Sequence, residues 1–178
     1  MLRSYAECVR AAEQAGKALK ASRGGFQLNH ILIHSAILEV QLRLLANARQ
    51  GAPGAVTPEL RAAAADAAVR EALKRLRGFC RVFPIGKPLL HLRQGEYEWI
   101  KGNGAAAIKE CELTLVAARS LTSEYYEALA HRDLAIYLNQ DDPARDRHLR
   151  EAESIFARLG AARDLARLRC ESNIAEIN

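Results

Sequence analysis

Aromatic side chains are scarce in this chain of 178 residues, at 6% of the total, and there is a single tryptophan, Trp99. Strands favour aromatic and β-branched residues in alternation, and no segment alternates with period two over more than a few residues, which excludes a sheet. Proline is limited to positions 53, 58, 84, 88 and 143, so that helix-sized stretches such as 26–50 run uninterrupted. The cysteines at 8, 80, 111 and 170 are scattered, with no close pair of the kind that holds zinc or carries redox chemistry, and read as reduced residues of helices. No stretch approaches the roughly 18 continuous apolar residues that span a bilayer, and the opening MLRSYAECVR has no apolar signal core, so a cytoplasmic location is expected. Also missing are a glycine-rich phosphate loop, GxSxG, a suggestive Cys/His pair and paired carboxylates in an apolar setting. No catalytic residue, cofactor or metal is therefore nominated, and the chain reads as a non-enzyme.

What remains is helix-forming material. Ala, Leu, Arg and Glu dominate, residues that lose least entropy in a helix, and the length suits one domain or one short stack of helical repeats. Eight helices are expected, at 4–21, 26–47, 58–81, 89–101, 105–121, 123–138, 143–159 and 161–175. The second is apolar on almost every side (Ile31, Leu32, Ile33, Ile37, Leu38, Val40, Leu42, Leu44, Leu45), as a spine covered on several faces would be. Thr57 and Pro58 suit an N-cap and first helical residue, and so do Asp142 and Pro143. The third helix carries an apolar line at Val69, Leu73, Leu76, Cys80 and Phe83. Short glycine turns such as Gly102-Asn103-Gly104 imply antiparallel neighbours. The fold class is all-α: antiparallel hairpins stacked as a solenoid, one domain over 1–178.

The last hairpins repeat a pattern. Ala107 and Cys111 are answered by Ala152 and Phe156, each pair after a helix with a small residue, Gly95 or Ala135. A repeat of about 40 to 45 residues follows, in which small residues let helices approach and a larger one fills the space between hairpins. Gly95 with Ala107, and Leu134-Ala135 with Ala152, Phe156 and Leu159-Gly160-Ala161, resemble tetratricopeptide repeats, clearest at 86–121 and 123–160. The segments GKPLLHLRQGEYEWIKGN, SEYYEALAHRDLAIYL and HLREAESIFARLGAARDLARL are similar to C-terminal repeat regions of bacterial multidomain signalling proteins that carry cyclase, Ser/Thr kinase or regulator ATPase domains. The resemblance implies a scaffold or regulatory arm that binds a peptide or neighbouring domain. It departs from the pattern at His91, where an aromatic is usual, and at Cys111, where a larger residue is.

Two surfaces are nominated for binding. Projecting the first helix of each hairpin onto a concave face selects Glu96, Trp99, Arg132 and Asn139 as peptide-binding candidates. Arg70, Lys74, Arg77 and Arg81 step by four, three and four, placing a basic stripe along one helix. With a net charge of +5 and a pI near 9.2, an acidic protein or peptide partner is favoured, although a solvated charged face gives the same pattern. The stripe lacks interleaved aromatics and any recognition-helix motif, which counts against nucleic acid. His30 and His34 lie one turn apart, but residue 31 is Ile, so HExxH is missing and no third ligand is near in sequence. Packed histidines between helices are the plainer reading, there and at His91, His131 and His148. Self-association as a homo-oligomerising arm and a small-molecule site between helices stay open as alternatives.

Overall fold

The computed structural model describes residues 30–50 and 58–177, with five further helical positions, Glu7, Arg10, Ala11, Gln14 and Lys17. The remainder of the expected first helix, the 51–57 loop and the Thr57 cap lie outside the described residues. All regular structure among the described residues is helical: α1 (His30–Arg49), α2 (Pro58–Val82), a 3-10 turn (Pro84–Gly86), α3 (Lys87–Ile100), α4 (Gly104–Ser120), α5 (Glu124–Tyr137), α6 (Pro143–Arg158) and α7 (Ala162–Ile177). The chain divides into two compact units, Met1–Gly86 and Lys87–Asn178.

In the first unit α1 packs along α2. Leu38, Leu42 and Leu45 of α1 are wholly buried, as are Val69, Leu76 and Phe79 of α2. The apolar line on α2 is seated as its spacing requires, except that Phe83 is half-buried and its place in the core is taken by Phe79, whose ring lies 5.0 Å from that of Phe83. The first turns of α1 depart from the expectation of a helix covered on several faces: Leu32 is 72% exposed, and Ile33 and Ala36 are exposed with it. By length and composition α1 is apolar enough to cross a membrane, with a mean hydropathy of 1.3, although Glu39, Arg43 and Arg49 interrupt its apolar run. A core helix has the same composition when its leucines are buried, as Leu38, Leu42, Leu44 and Leu45 are.

In the second unit each helix packs on its neighbour in sequence, and α3 also touches α5. Close approach within the α3/α4 hairpin depends on Gly95, where a Cβ would stand 3.3 Å from the carbonyl oxygen of Ala107, 3.4 Å from Cβ of Glu110 and 3.5 Å from Sγ of Cys111. Ala107, Cys111 and Leu115 of α4 pack with Ala130, Leu134 and Tyr137 of α5 in one cluster. A second cluster joins Leu92, Ala128, Leu129, Ala152, Ile155, Phe156 and Leu168, drawing α3, α5, α6 and α7 together.

The ends of these helices follow from their turn residues. Pro143 opens α6 and the Asp142 carboxylate accepts from the Ala144 N–H at 2.8 Å, satisfying a donor that the first turn leaves unpaired. Helix α3 begins at Lys87 rather than 89, because Pro88 sits in a first turn where its missing N–H costs nothing. Helices α3 and α6 close in the same way. Asn103 N–H reaches the Glu98 carbonyl and Gly102 N–H that of Trp99, while Ala161 N–H reaches Phe156 and Gly160 N–H reaches Ala157. Gly102 and Gly160 take the left-handed conformation this closure demands, with φ of 85° and 66°. Helix α4 closes identically, through Ser123 N–H to Ala118 and Thr122 N–H to Arg119, but the left-handed residue is Thr122 at φ 52°. A β-branched residue there is strained.

Two substitutions test these packing and turn arguments by thermal unfolding. Thr122→Gly relieves the left-handed strain and raises stability by about 0.5–1 kcal/mol after the entropic cost of glycine is subtracted. Gly95→Val forces α3 from the backbone of α4 and lowers stability by about 1–3 kcal/mol, the usual cost of overpacking. An unchanged midpoint for Gly95→Val would mean that the hairpin is looser than the distances state.

Candidate functional site

The basic stripe belongs to the first unit. Its residues are those of the apolar line on α2 advanced by one position, which turns them about 100° around the helix. Val69, Leu73, Leu76 and Cys80 are buried accordingly, and Arg70, Lys74, Arg77 and Arg81 are all exposed. Arg70 is held at 3.0 Å by Asp66 one turn earlier. Among the described residues Lys74 and Arg81 have no acidic partner, so the stripe carries charge that its own helix does not neutralise.

The four candidates in the second unit fare differently. Trp99 is 41% exposed and its ring stacks on Tyr137 of α5, with centroids 4.5 Å apart and planes 21° from parallel. Glu96 is engaged by Arg93 on its own helix at 2.7 Å. Arg132 is bound to Asp133, Nε to Oδ1 at 2.8 Å. Asp133 is buried, and burial pushes its carboxyl above the usual range while Arg132 opposes the shift. Asn139 is exposed in the turn after α5. Glu96 of α3 and Arg132 of α5 both lie near the buried Asp133 carboxyl, beside the Trp99–Tyr137 stack. Sequence reading missed Arg93 and Asp133 here; their only signal is a charge on the same helix as a nominated partner.

The histidines fall into three settings. His30 and His34 are buried on α1. The His34 ring lies 5.6 Å from Phe79, and its Nε2 has no hydrogen-bond partner among the described residues. Burial, then the neighbouring His30 and Arg75, lowers its pKa, so the ring is neutral at pH 7. His91 Nδ1 and Glu110 Oε2 are 2.8 Å apart, tying α3 to α4. His131 of α5 and His148 of α6 meet Nδ1 to Nδ1 at 2.7 Å. No group of three His, Cys, Asp or Glu side chains that could hold a metal occurs among the described residues. Cys80 and Cys111 are both buried thiols. Burial, and next the charge of Asp133, raises the Cys111 pKa well above the ordinary thiol value, so it stays protonated and unreactive.

Because Trp99 is the only tryptophan, its fluorescence reports this face directly. Tyr137→Ala removes the stacking partner, and the expected outcome is red-shifted emission with stronger acrylamide quenching; an unchanged spectrum would show that the stack does not persist in solution.

No protein-family model, curated protein or solved structure matches this chain.

Proposed function

We propose that this chain is a protein-interaction module, a tetratricopeptide-like regulatory arm of a cytoplasmic bacterial signalling protein, that takes up an acidic peptide or neighbouring domain along the basic face of α2. The observation that carries this reading is the solvent-facing row Arg70, Lys74, Arg77 and Arg81, beside an otherwise well-buried apolar line. Four cations at successive turns supply long-range attraction and charge-assisted hydrogen bonds to carboxylates spaced along a partner segment. Support for the repeat character comes from the adjacent antiparallel pairs and the close Gly95–Ala107 approach. Glu96, Trp99, Arg132 and Asn139 form a second candidate surface, with Trp99 as its apolar anchor.

A second reading, a homo-oligomerising arm, draws on the apolar residues that α4 leaves outside: Val116 is 68% exposed and Leu113 38%. Burying them against another copy would give a mass that rises with concentration, measurable by light scattering after size-exclusion chromatography.

The deciding experiment is a pull-down from source-cell lysate with the parent chain and the Arg70→Glu, Lys74→Glu, Arg77→Glu variant, at low and high salt. The expected result is a specific protein retained by the parent, weakened by salt as exposed charge pairs are, and lost by the variant while its helical circular dichroism is unchanged. Equal retention by both would overturn the basic-face assignment, and recovery of bait alone would favour the oligomerising arm.

A further inference from the structure

Among the described residues of the second unit, the one cross-helix contact made by two titratable rings of the same kind is His131 with His148. The two are 17 residues apart in sequence, and their Nδ1 atoms are 2.7 Å apart, a hydrogen-bond distance. Two Nδ1 atoms so close require that one ring carry its proton there and the other present a lone pair. The ring centroids are 5.0 Å apart, and the pair lies one turn from Ala128 and Ala152, both wholly buried in the cluster that seals α5 on α6.

We propose that the His131–His148 pair is a proton-operated latch that holds the α5/α6 hairpin closed until both rings are charged. Two neutral rings share the hydrogen bond. A first added proton enters at the free Nε2 of the donating ring, and the resulting imidazolium still donates from Nδ1, now with charge assistance. A second proton has only the accepting Nδ1 to occupy. It removes the lone pair, sets two N–H groups head to head and brings two positive charges together in a half-buried site, so the rings must part.

The groups facing the pair come from three helices and the turn between two of them. Arg119 of α4 faces both rings. Glu127 of α5 lies 4.0 Å from His131 Nε2 and is itself bound by Arg119 at 2.7 Å. Glu151 of α6 faces both rings, and Arg147 of α6 and Asp142 of the turn face His148. Burial disfavours charge on both rings, and after it the neighbouring ring for His131 and Arg147 for His148. Together these push His131 down to about 4 and lower His148 as well. His148, the less buried ring, therefore takes the first proton and His131 the second. Because the folded values lie below those of the unfolded chain, the pair's contribution to stability is complete above the ordinary histidine range and is lost as pH falls through it.

The test is a titration of the full chain, labelled with 15N-histidine, from pH 8 to 4 in buffer containing a chelator. Ring resonances are read alongside hydrogen exchange of the α5 and α6 peptides, corrected for intrinsic rates. The expected result is two coupled titrations, His148 before His131, with exchange in both helices accelerating as pH falls below the ordinary histidine range, by about tenfold per pH unit while one proton is on the closed pair, and levelling off once the second binds. In the His131→Gln, His148→Gln variant, checked for helicity at pH 7, that acceleration disappears, although every neighbouring carboxylate is retained. Independent titration of both rings near the ordinary histidine value would overturn the proposal on the parent chain alone, and the same acid response in the double variant would overturn it separately.

Discussion

Every feature of the second unit depends on how closely α3 and α4 approach, and that distance is set by the absence of one carbon atom. Gly95 presents bare backbone to the Ala107 carbonyl, with 3.3 Å for a Cβ that is not there. At this separation Cys111, one turn on, is wholly buried, and so is Ala107 itself. Packing at interior density leaves no slack to absorb a larger residue. The position of α4 then fixes α5, since Cys111 and Leu115 form one cluster with Ala130, Leu134 and Tyr137. Trp99 finds Tyr137 only because α3 and α5 end up side by side on the same flank of α4.

A stack held by small and aliphatic residues specifies spacing better than register, because Ala and Leu tolerate sliding. Polar pairs between helices supply what the apolar contacts lack. His91 with Glu110 fixes α3 against α4, Arg119 with Glu127 fixes α4 against α5, and His131 with His148 fixes α5 against α6. Each is a directional contact that a slip of one turn, about 5.4 Å, would break. Their net contribution to stability is modest, because exposed or half-exposed pairs gain little over water. Their contribution to a single arrangement is larger, since every alternative register leaves polar groups unmatched.

The helices were legible in the sequence because their ends are chemically marked. Asp142-Pro143 and Gly160 bound α6 within a residue of where spacing alone puts it, and Gly102 does the same for α3. Thr122 carries no such mark, and its left-handed backbone is imposed by the closure of α4 rather than chosen by the residue. The outward face of α2 was equally readable, because burial and exposure along one helix follow from a single period. The side-chain pairs were not. His131 and His148, 17 apart, and Tyr125 and Asp164, 39 apart, meet through the register of packed helices, which no local pattern encodes. The Glu96–Arg93 and Arg132–Asp133 pairs are near neighbours in sequence, yet what matters about them, the burial of Asp133, is again a product of packing.

Charge is therefore distributed by role. Three carboxylates at helix contacts of the second unit are matched: Asp133 by Arg132, Glu110 by His91, Glu127 by Arg119. A buried charge left alone would cost several kcal/mol, so matching there is a condition of folding. On the solvent face of α2 no such condition applies, and among the described residues Lys74 and Arg81 stay without an acidic partner, at the cost only of repulsion through water. Cations stepping by four, three and four along one face repel one another slightly, as like pairs one turn apart do. That row lies one position beyond the buried line of Val69, Leu73, Leu76 and Cys80, so its charges can change without touching the core.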